Sequence, residues 1–183
     1  MKRVGSLAAV AALVLGLTAA GAAATSSSLP LTQRVTTFAG MRSSTRPSAV
    51  RSVAAWAAST SVSESRLRAW GFVGGIADQL ATPGNSDRYG LSLVVELSSH
   101  ANAEAYLKSV YTTNGPWTRF SASGIPGAVG FEQKQSGQGG SNVGFVDGPY
   151  MYLVGVGWQG ASSNEIPNKT LVAAAQQLYK RVG

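Results

Sequence analysis

Cysteine is absent from all 183 residues. Without a thiol the chain forms no disulfide, has no thiolate nucleophile and binds no zinc through sulfur. It also cannot carry a lipid thioether on an N-terminal cysteine. Histidine occurs once, at His100. A transition-metal site therefore lacks its usual imidazole ligands, and a Ser-His-acid triad would depend on this one residue. His100 directly follows Ser98-Ser99 at a predicted helix start, where local capping and solvent exposure account for it. Charged residues make up only 13% of the chain, with eight acids among them. The motifs G-x-S-x-G, S-x-x-K and H-E-x-x-H do not occur. No catalytic residue, metal or cofactor is predicted.

Long apolar runs are missing too, with one exception. Lys2 and Arg3 precede an apolar run from Leu7 to Leu17, and small residues then lead to Ala22-Ala23-Ala24 before Thr25. This order matches a secretory signal peptide over residues 1–24, cleaved near Ala24. The alternative is an uncleaved anchor over Val4 to Ala24, which has the length to cross a bilayer. Its strongly apolar part is only 11 residues, however, and Ser6 and Thr18 dilute its ends. Either way Lys2 and Arg3 hold the N-terminus in the cytoplasm. The domain is therefore predicted to lie outside, secreted or extracytoplasmic.

The charge that is present is uneven. Full-length net charge is +7. Residues 25–70 carry Arg34, Arg42, Arg46, Arg51, Arg66 and Arg68 against Glu64 alone, a net +5. Residues 71–183 carry seven basic and seven acidic side chains and are neutral. A field concentrated in this way attracts anions such as lipid headgroups or wall polymers. Arg42, Arg46, Arg51, Arg66 and Arg68 are the candidates for that contact. The same arginines also read as a solvated surface, since they are scattered rather than in a run, and nucleic acid is disfavoured as a partner.

Along the chain, residues 25–46 read as a tether and extended segment, and 47–183 as one domain. Pro47 opens a helical stretch with Val50, Val53, Ala54 and Ala57 at helical spacing. Ser61 and Glu64 have capping-box spacing before a helix that stops at Gly71. Phe72–Ala81 and Tyr89–Leu97 read as strands around a Pro83-Gly84-Asn85 turn. The second places Leu91, Leu93, Val95 and Leu97 on one face, and Ser92, Val94 and Glu96 on the other. A helix follows Ser98-Ser99, with Glu104 and Lys108 at ion-pair spacing. Trp117–Ala122 and Ala128–Lys134 read as strands, and Gln135–Ser141 as a glycine-rich flexible loop. Asn142–Val146 and Tyr150–Trp158 flank a hairpin signal at Asp147-Gly148-Pro149. A last helix starts near Pro167 or Asn168, and Asn168 of the Asn168-Lys169-Thr170 sequon reads as its cap. The predicted fold class is α+β: a mostly antiparallel sheet of about five to six strands with helices packed on one face.

Three further features invite a chemical reading. Gly155-Val156-Gly157-Trp158-Gln159-Gly160 matches G-x-G-x-x-G, but no helix starts at the glycines and no acid follows at the required distance. The glycines instead read as relief of crowding at a strand end. Glu96 could face Glu132 across the sheet as a glycosidase-like carboxylate pair. The C-terminal strands concentrate aromatic residues, with Tyr150 and Tyr152 on one strand face and Met151 and Leu153 on the other. If helices cover only one face, an aromatic face meets solvent or a ligand; core packing and cross-strand aromatic pairs are the alternative. Trp117, Tyr150, Tyr152 and Trp158 are the candidate ligand contacts.

The segments "RLRAWGFVGG", "GLSLVVELSSHANAEAYL", "SGIPGAVGF" and "SNVGFVDGPYMYLVGVG" resemble, in their layout, small extracytoplasmic domains of actinobacteria, often lipoproteins. Some of those have a PsbP-like α+β fold with a ligand cavity. The resemblance implies a fold and no particular functional residue, and the lipoprotein cysteine is missing here. The functional expectation is a non-enzymatic envelope accessory domain holding an apolar or amphipathic ligand, or a protein partner, on an aromatic sheet face. Electrostatic attachment to an anionic surface and a hydrolase built on scattered carboxylates are the alternatives.

Overall fold

The computed structural model describes residues 33–44, 47, 49–113 and 117–183; the leader, most of the tether and Arg46 lie outside them. The chain forms β1 (Thr37–Phe38), β2 (Met41–Ser43), α1 (Val53–Ser59), α2 (Glu64–Ala69), β3 (Gly74–Thr82) and β4 (Asn85–Glu96). There follow α3 (His100–Thr113), β5 (Thr118–Phe120), β6 (Val129–Gln135), β7 (Gln138–Asp147), β8 (Tyr150–Gln159), a 3-10 turn (Ser162–Asn164) and α4 (Asn168–Val182). The strands make one sheet in the order β1-β2-β3-β4-β8-β7-β6-β5. Every neighbouring pair is antiparallel. Two meanders, β1–β4 and β5–β8, therefore meet at the centre. The α3 segment carries the chain from β4 to the far edge, so that β8 returns beside β4.

The sheet has eight strands rather than five to six, because residues 37–43 supply two of them. Ala39 and Gly40 turn that hairpin at φ 51° and 79°, the paired left-handed residues of a type I′ turn. Buried polar contacts hold the segment before it on the sheet. Arg34 Nε lies 2.8 Å from Asp78 Oδ2, and the Ser43 hydroxyl donates to Asp78 Oδ1 at 2.6 Å. Val35 N–H donates to Ser92 Oγ.

The expectation of helices on one face is overturned. Leu91, Leu93, Val95, Met151, Leu153 and Phe131 form a core with Trp56 of α1, Leu67 of α2, and Tyr106 and Leu107 of α3. Val94, Val143, Phe145, Tyr152, Val154 and Val156 form a second core with Leu171, Ala175 and Leu178 of α4. The alternation in β4 is as the sequence predicts, but Ser92 and Val94 are as buried as Leu93. The near-continuous apolar run of β8 has the same cause, since both of its faces are covered.

Local signals fare unevenly. The Ser52 and Ser99 hydroxyls accept from the N–H groups of Ala55 and Asn102, capping α1 and α3. The cap position of α2 is Ser63 rather than Ser61. Asn168 does not cap α4; its amide donates to Glu132 Oε2 at 2.8 Å. Glu104 contacts His100 at 3.4 Å. Gln135–Ser141 is no flexible loop: Gln135 pairs with Gln138 across a Ser136-Gly137 turn, and Gly139 to Ser141 are strand.

Candidate functional site

The four candidate aromatic residues do not line one groove. Tyr152 is 1% exposed, stacked on Phe145 with centroids 5.0 Å apart, and its hydroxyl donates to Gln33 Oε1. Burial pushes its phenol above the usual tyrosine range, and the neighbouring Asp147 and Tyr150 add to that. Trp158, 8% exposed, lies over Gly139 of the neighbouring strand. Tyr150 is half-buried at the β7–β8 hairpin, its pKa raised by burial and then by Glu96. Trp117 sits on the opposite face of the sheet, edge-on to Phe131 at 5.2 Å. It is half-buried, and its indole N–H has no hydrogen-bond partner among the described residues. Two of the four are thus core residues, because α4 covers the face that Tyr152 shares with Val154 and Val156.

Arg42, Arg51, Arg66 and Arg68 are all exposed. Arg42 is on β2, paired with Ala81, and Arg51 follows Val50, which bridges Gly75 on the same strand, β3. Six residues of β3 separate those anchor points, about 20 Å. Arg66 and Arg68 flank the buried Leu67 on α2. Arg68 pairs with Glu64 at 3.1 Å. The arginines are spread along the β2–β3 margin and α1–α2 rather than gathered into a pocket.

The carboxylates are dispersed. Glu96 pairs in register with Tyr150, not with Glu132. Glu132 lies in the row of Ser141, Val156 and Gly90, about 20 Å further along the strand direction and three strands across. It serves a structural cluster instead: Lys134 Nζ is 3.3 Å from Glu132 and 2.7 Å from Glu165, tying β6 to the segment before α4. Hydrogen bonding to Glu165 raises the Lys134 pKa. His100 is exposed at the start of α3, its Nδ1 3.1 Å from the Gly148 carbonyl oxygen. An open groove of about 210 Å³ lies between Val35–Thr37 and Ala174, Gln177 and Arg181 of α4; none of the candidate residues lines it.

One arrangement escaped the sequence reading. On the α3 face, glycines occupy positions where neighbours lie flat on the backbone. A Cβ on Gly75 would meet Trp56 of α1, and one on Gly144 would meet Leu107 of α3, at 2.5 and 2.3 Å. One step beyond Gly144 the covering groups come from the sheet itself. A Cβ on Gly155 would meet Asn142 Oδ1 at 2.3 Å, and one on Gly157 would meet the Tyr89 ring at 2.1 Å. Tyr89, Gly157, Gly140 and Gln133 form one row across β4, β8, β7 and β6. Asn142 is 6% exposed; among the described residues the buried side-chain atoms without a hydrogen-bond partner are Thr82 Oγ1, Glu96 Oε2 and Trp117 Nε1. The legible signal was glycine at period 2 in Gly155-x-Gly157, which marks close approach over one face of a strand.

These features define an α+β domain with one eight-stranded antiparallel sheet and helices on both faces. No helix among the described residues is long and apolar enough to cross a membrane. No family model matches the chain, and no curated protein sequence is similar to it. Among solved structures it is similar to the extracellular domain of PknH from Mycobacterium tuberculosis. That likeness is 14% identity and a TM-score of 0.46, covering 65% of this chain and 69% of that one.

Proposed function

We propose that the chain is an extracytoplasmic accessory domain of a bacterial envelope, one that binds rather than transforms. It attaches to an anionic surface through Arg42, Arg51, Arg66 and Arg68, with Arg46 of the same stretch contributing. The observation that carries this reading is the placement of the excess charge. The four described arginines are exposed on the β2–β3 margin and α1–α2. Arg68 alone among them has an ion-pair partner among the described residues. The predicted leader supports the location, and the neutral remainder of the chain supports the polarity of the field. Exposed cations near an anionic lipid surface contribute about 1 kcal/mol each, so several together suffice for reversible attachment.

The test is co-sedimentation with phosphatidylglycerol-containing vesicles against pure phosphatidylcholine vesicles, at rising salt. Binding should require the anionic lipid, fall steeply with ionic strength, and weaken when Arg42, Arg51 and Arg66 are all changed to Ala. Equal binding to both vesicle types, or indifference to salt, would overturn it. An aromatic-face reading keeps support only at Trp117 and Tyr150, which stay half-buried but on opposite faces.

A further inference from the structure

We propose that the α2–β3 corner, Trp70 to Val73, is the part of the domain that enters an anionic lipid surface, with Val73 as the inserted side chain and Arg51 and Arg66 as its flanking cations. This rests on the attachment proposed above, and adds to it an apolar contact and an orientation. Val73 is 39% exposed and is the one large hydrophobic side chain open to solvent among the described residues. A single exposed valine needs no explanation, but this one has particular neighbours. Trp70 and Phe72 beside it are half-buried. Trp70 stands edge-on to Tyr106 at 5.7 Å, and Phe72 lies tilted on Trp56 at 5.5 Å. Both rings thus rest on the core under α1 and α3 while keeping part of their surface outside.

The second observation is the hydrogen bonding of the corner. Gly71, at φ 61°, ends α2. Its N–H donates to the Arg68 carbonyl and that of Phe72 to the Leu67 carbonyl, both at 3.0 Å, the pair of bonds of a Schellman motif. Trp70 N–H donates to the Arg66 carbonyl, and Val73 N–H to the Glu96 carbonyl, each at 2.9 Å. The N–H groups of residues 70 to 73 are therefore all paired inside the fold. An apolar medium offers a backbone donor no water, so a corner enters it at low cost only when its own groups are already paired. The same turn puts Phe72 against Trp56 and leaves Val73 outside.

The third is the placement of charge. Val50 and Gly75 exchange two backbone hydrogen bonds, of 2.8 and 2.9 Å, in an antiparallel bridge. Arg51 therefore comes opposite Gly74, the residue after Val73. Arg66 lies one helical turn before Trp70. Both arginines are exposed. Glu64 on the same helix is held by Arg68 at 3.1 Å. Glu96 is in register with Gly74, and its Oε2 is buried rather than presented to the surface. Arg42, by contrast, pairs with Ala81, seven residues along β3 from Gly74, about 23 Å away. Cations around an apolar tip match anionic headgroups over acyl chains. A purely ionic polymer would offer nothing to Val73.

The absence of cysteine permits a single reporter. Residues 25–183, which contain the whole described fold, carry Val73→Cys labelled with nitrobenzoxadiazole; without residues 1–24 the apolar leader cannot bind lipid on its own. With phosphatidylglycerol-containing vesicles the label should brighten and shift to the blue, and brominated acyl chains should quench it. Pure phosphatidylcholine vesicles should leave it unchanged. The same label at Ser136→Cys, in the β6–β7 turn at the other end of the sheet, should respond to neither. Val73→Ser should weaken binding about three- to tenfold at an unchanged thermal midpoint, and Val73→Leu should strengthen it. Arg51→Ala and Arg66→Ala should each weaken it about fivefold. Arg42→Ala, more than a Debye length from the corner, should stay within about twofold of the parent. Suppose anionic vesicles bind in a salt-dependent way, but the label at 73 stays in water or Val73→Ser binds as the parent does. Then the insertion is overturned and the arginine attachment stands. No preference for anionic vesicles overturns both.

Discussion

Replacing Arg34 by Met tests what holds the N-terminal segment in the fold. Asp78 is fully buried on β3, and its only charged contact among the described residues is Arg34 Nε at 2.8 Å. The Arg34 side chain is itself 17% exposed, so solvent screens the pair little. Removing one partner of a buried pair typically costs about 3–5 kcal/mol, because the remaining charge is left in a low-dielectric site. Ser43 Oγ at 2.6 Å still donates to the Asp78 carboxylate and offsets part of this. Against a typical total stability of about 5–15 kcal/mol, the loss is large. It corresponds to a fall in thermal midpoint of roughly 6–20 °C for a domain of this size. Chemical denaturation read by tryptophan fluorescence measures the cost, and amide exchange at Val35 locates it. Val35 N–H is bonded to Ser92 Oγ at 2.9 Å and should exchange faster if the segment lifts off. The double variant Arg34→Met, Asp78→Leu removes both charges and should come back to within about 1–2 kcal/mol of the parent. A single-variant cost below about 1 kcal/mol, with unchanged exchange at Val35, would refute the view that this pair clips the segment down.

Two other outcomes follow from particular groups. Ala39 sits at φ 51° ahead of Gly40 at φ 79°; Ala39→Asn supplies the residue a type I′ turn prefers and should stabilise by about 0.5–1 kcal/mol, read as a higher denaturation midpoint. No gain would mean that the turn does not hold Ala39 in the left-handed region. Burial pushes the Tyr106 phenol from 10.0 to about 12, even though its hydroxyl accepts from Trp56 Nε1 at 3.0 Å. The unfolded chain then loses this proton at lower pH than the folded one. Its contribution is complete below pH 10.0 and disappears as pH rises towards about 12. Denaturation at pH 8 and pH 11 should show a steep loss in the parent, up to about 1.4 kcal/mol per pH unit for each such tyrosine. The loss should be shallower in Tyr106→Phe, and equal slopes would remove Tyr106 as the cause.

Much of the secondary structure was legible because it is written at short range. The capping serine at Ser99, the Gly148-Pro149 turn and the alternation Leu91, Leu93, Val95 are read from a few neighbouring residues. The α4 apolar spacing over Leu171, Ala175 and Leu178 is equally local. Misreadings arose where the same local pattern has two tertiary outcomes. A glycine-rich stretch, Gln135–Ser141, can be a loop or a strand whose neighbours need room. Tyr150 alternating with Tyr152 can mean a wet face or a second core, and only the position of α4 distinguishes these.

The candidate sites divide in the same way. The uneven charge of residues 25–70 and the leader-like start belong to the sequence alone, because charge and hydropathy add along a chain wherever it goes. Glu96 beside Tyr150 instead of Glu132, Asn142 over Gly155 and Tyr89 across Gly157 belong to the tertiary structure. They depend on α3 carrying the chain past the sheet so that β8 returns between β4 and β7. Side-chain periodicity says which face a residue takes, but strand order decides what stands beside it, and that order is fixed by contacts between residues far apart in the chain.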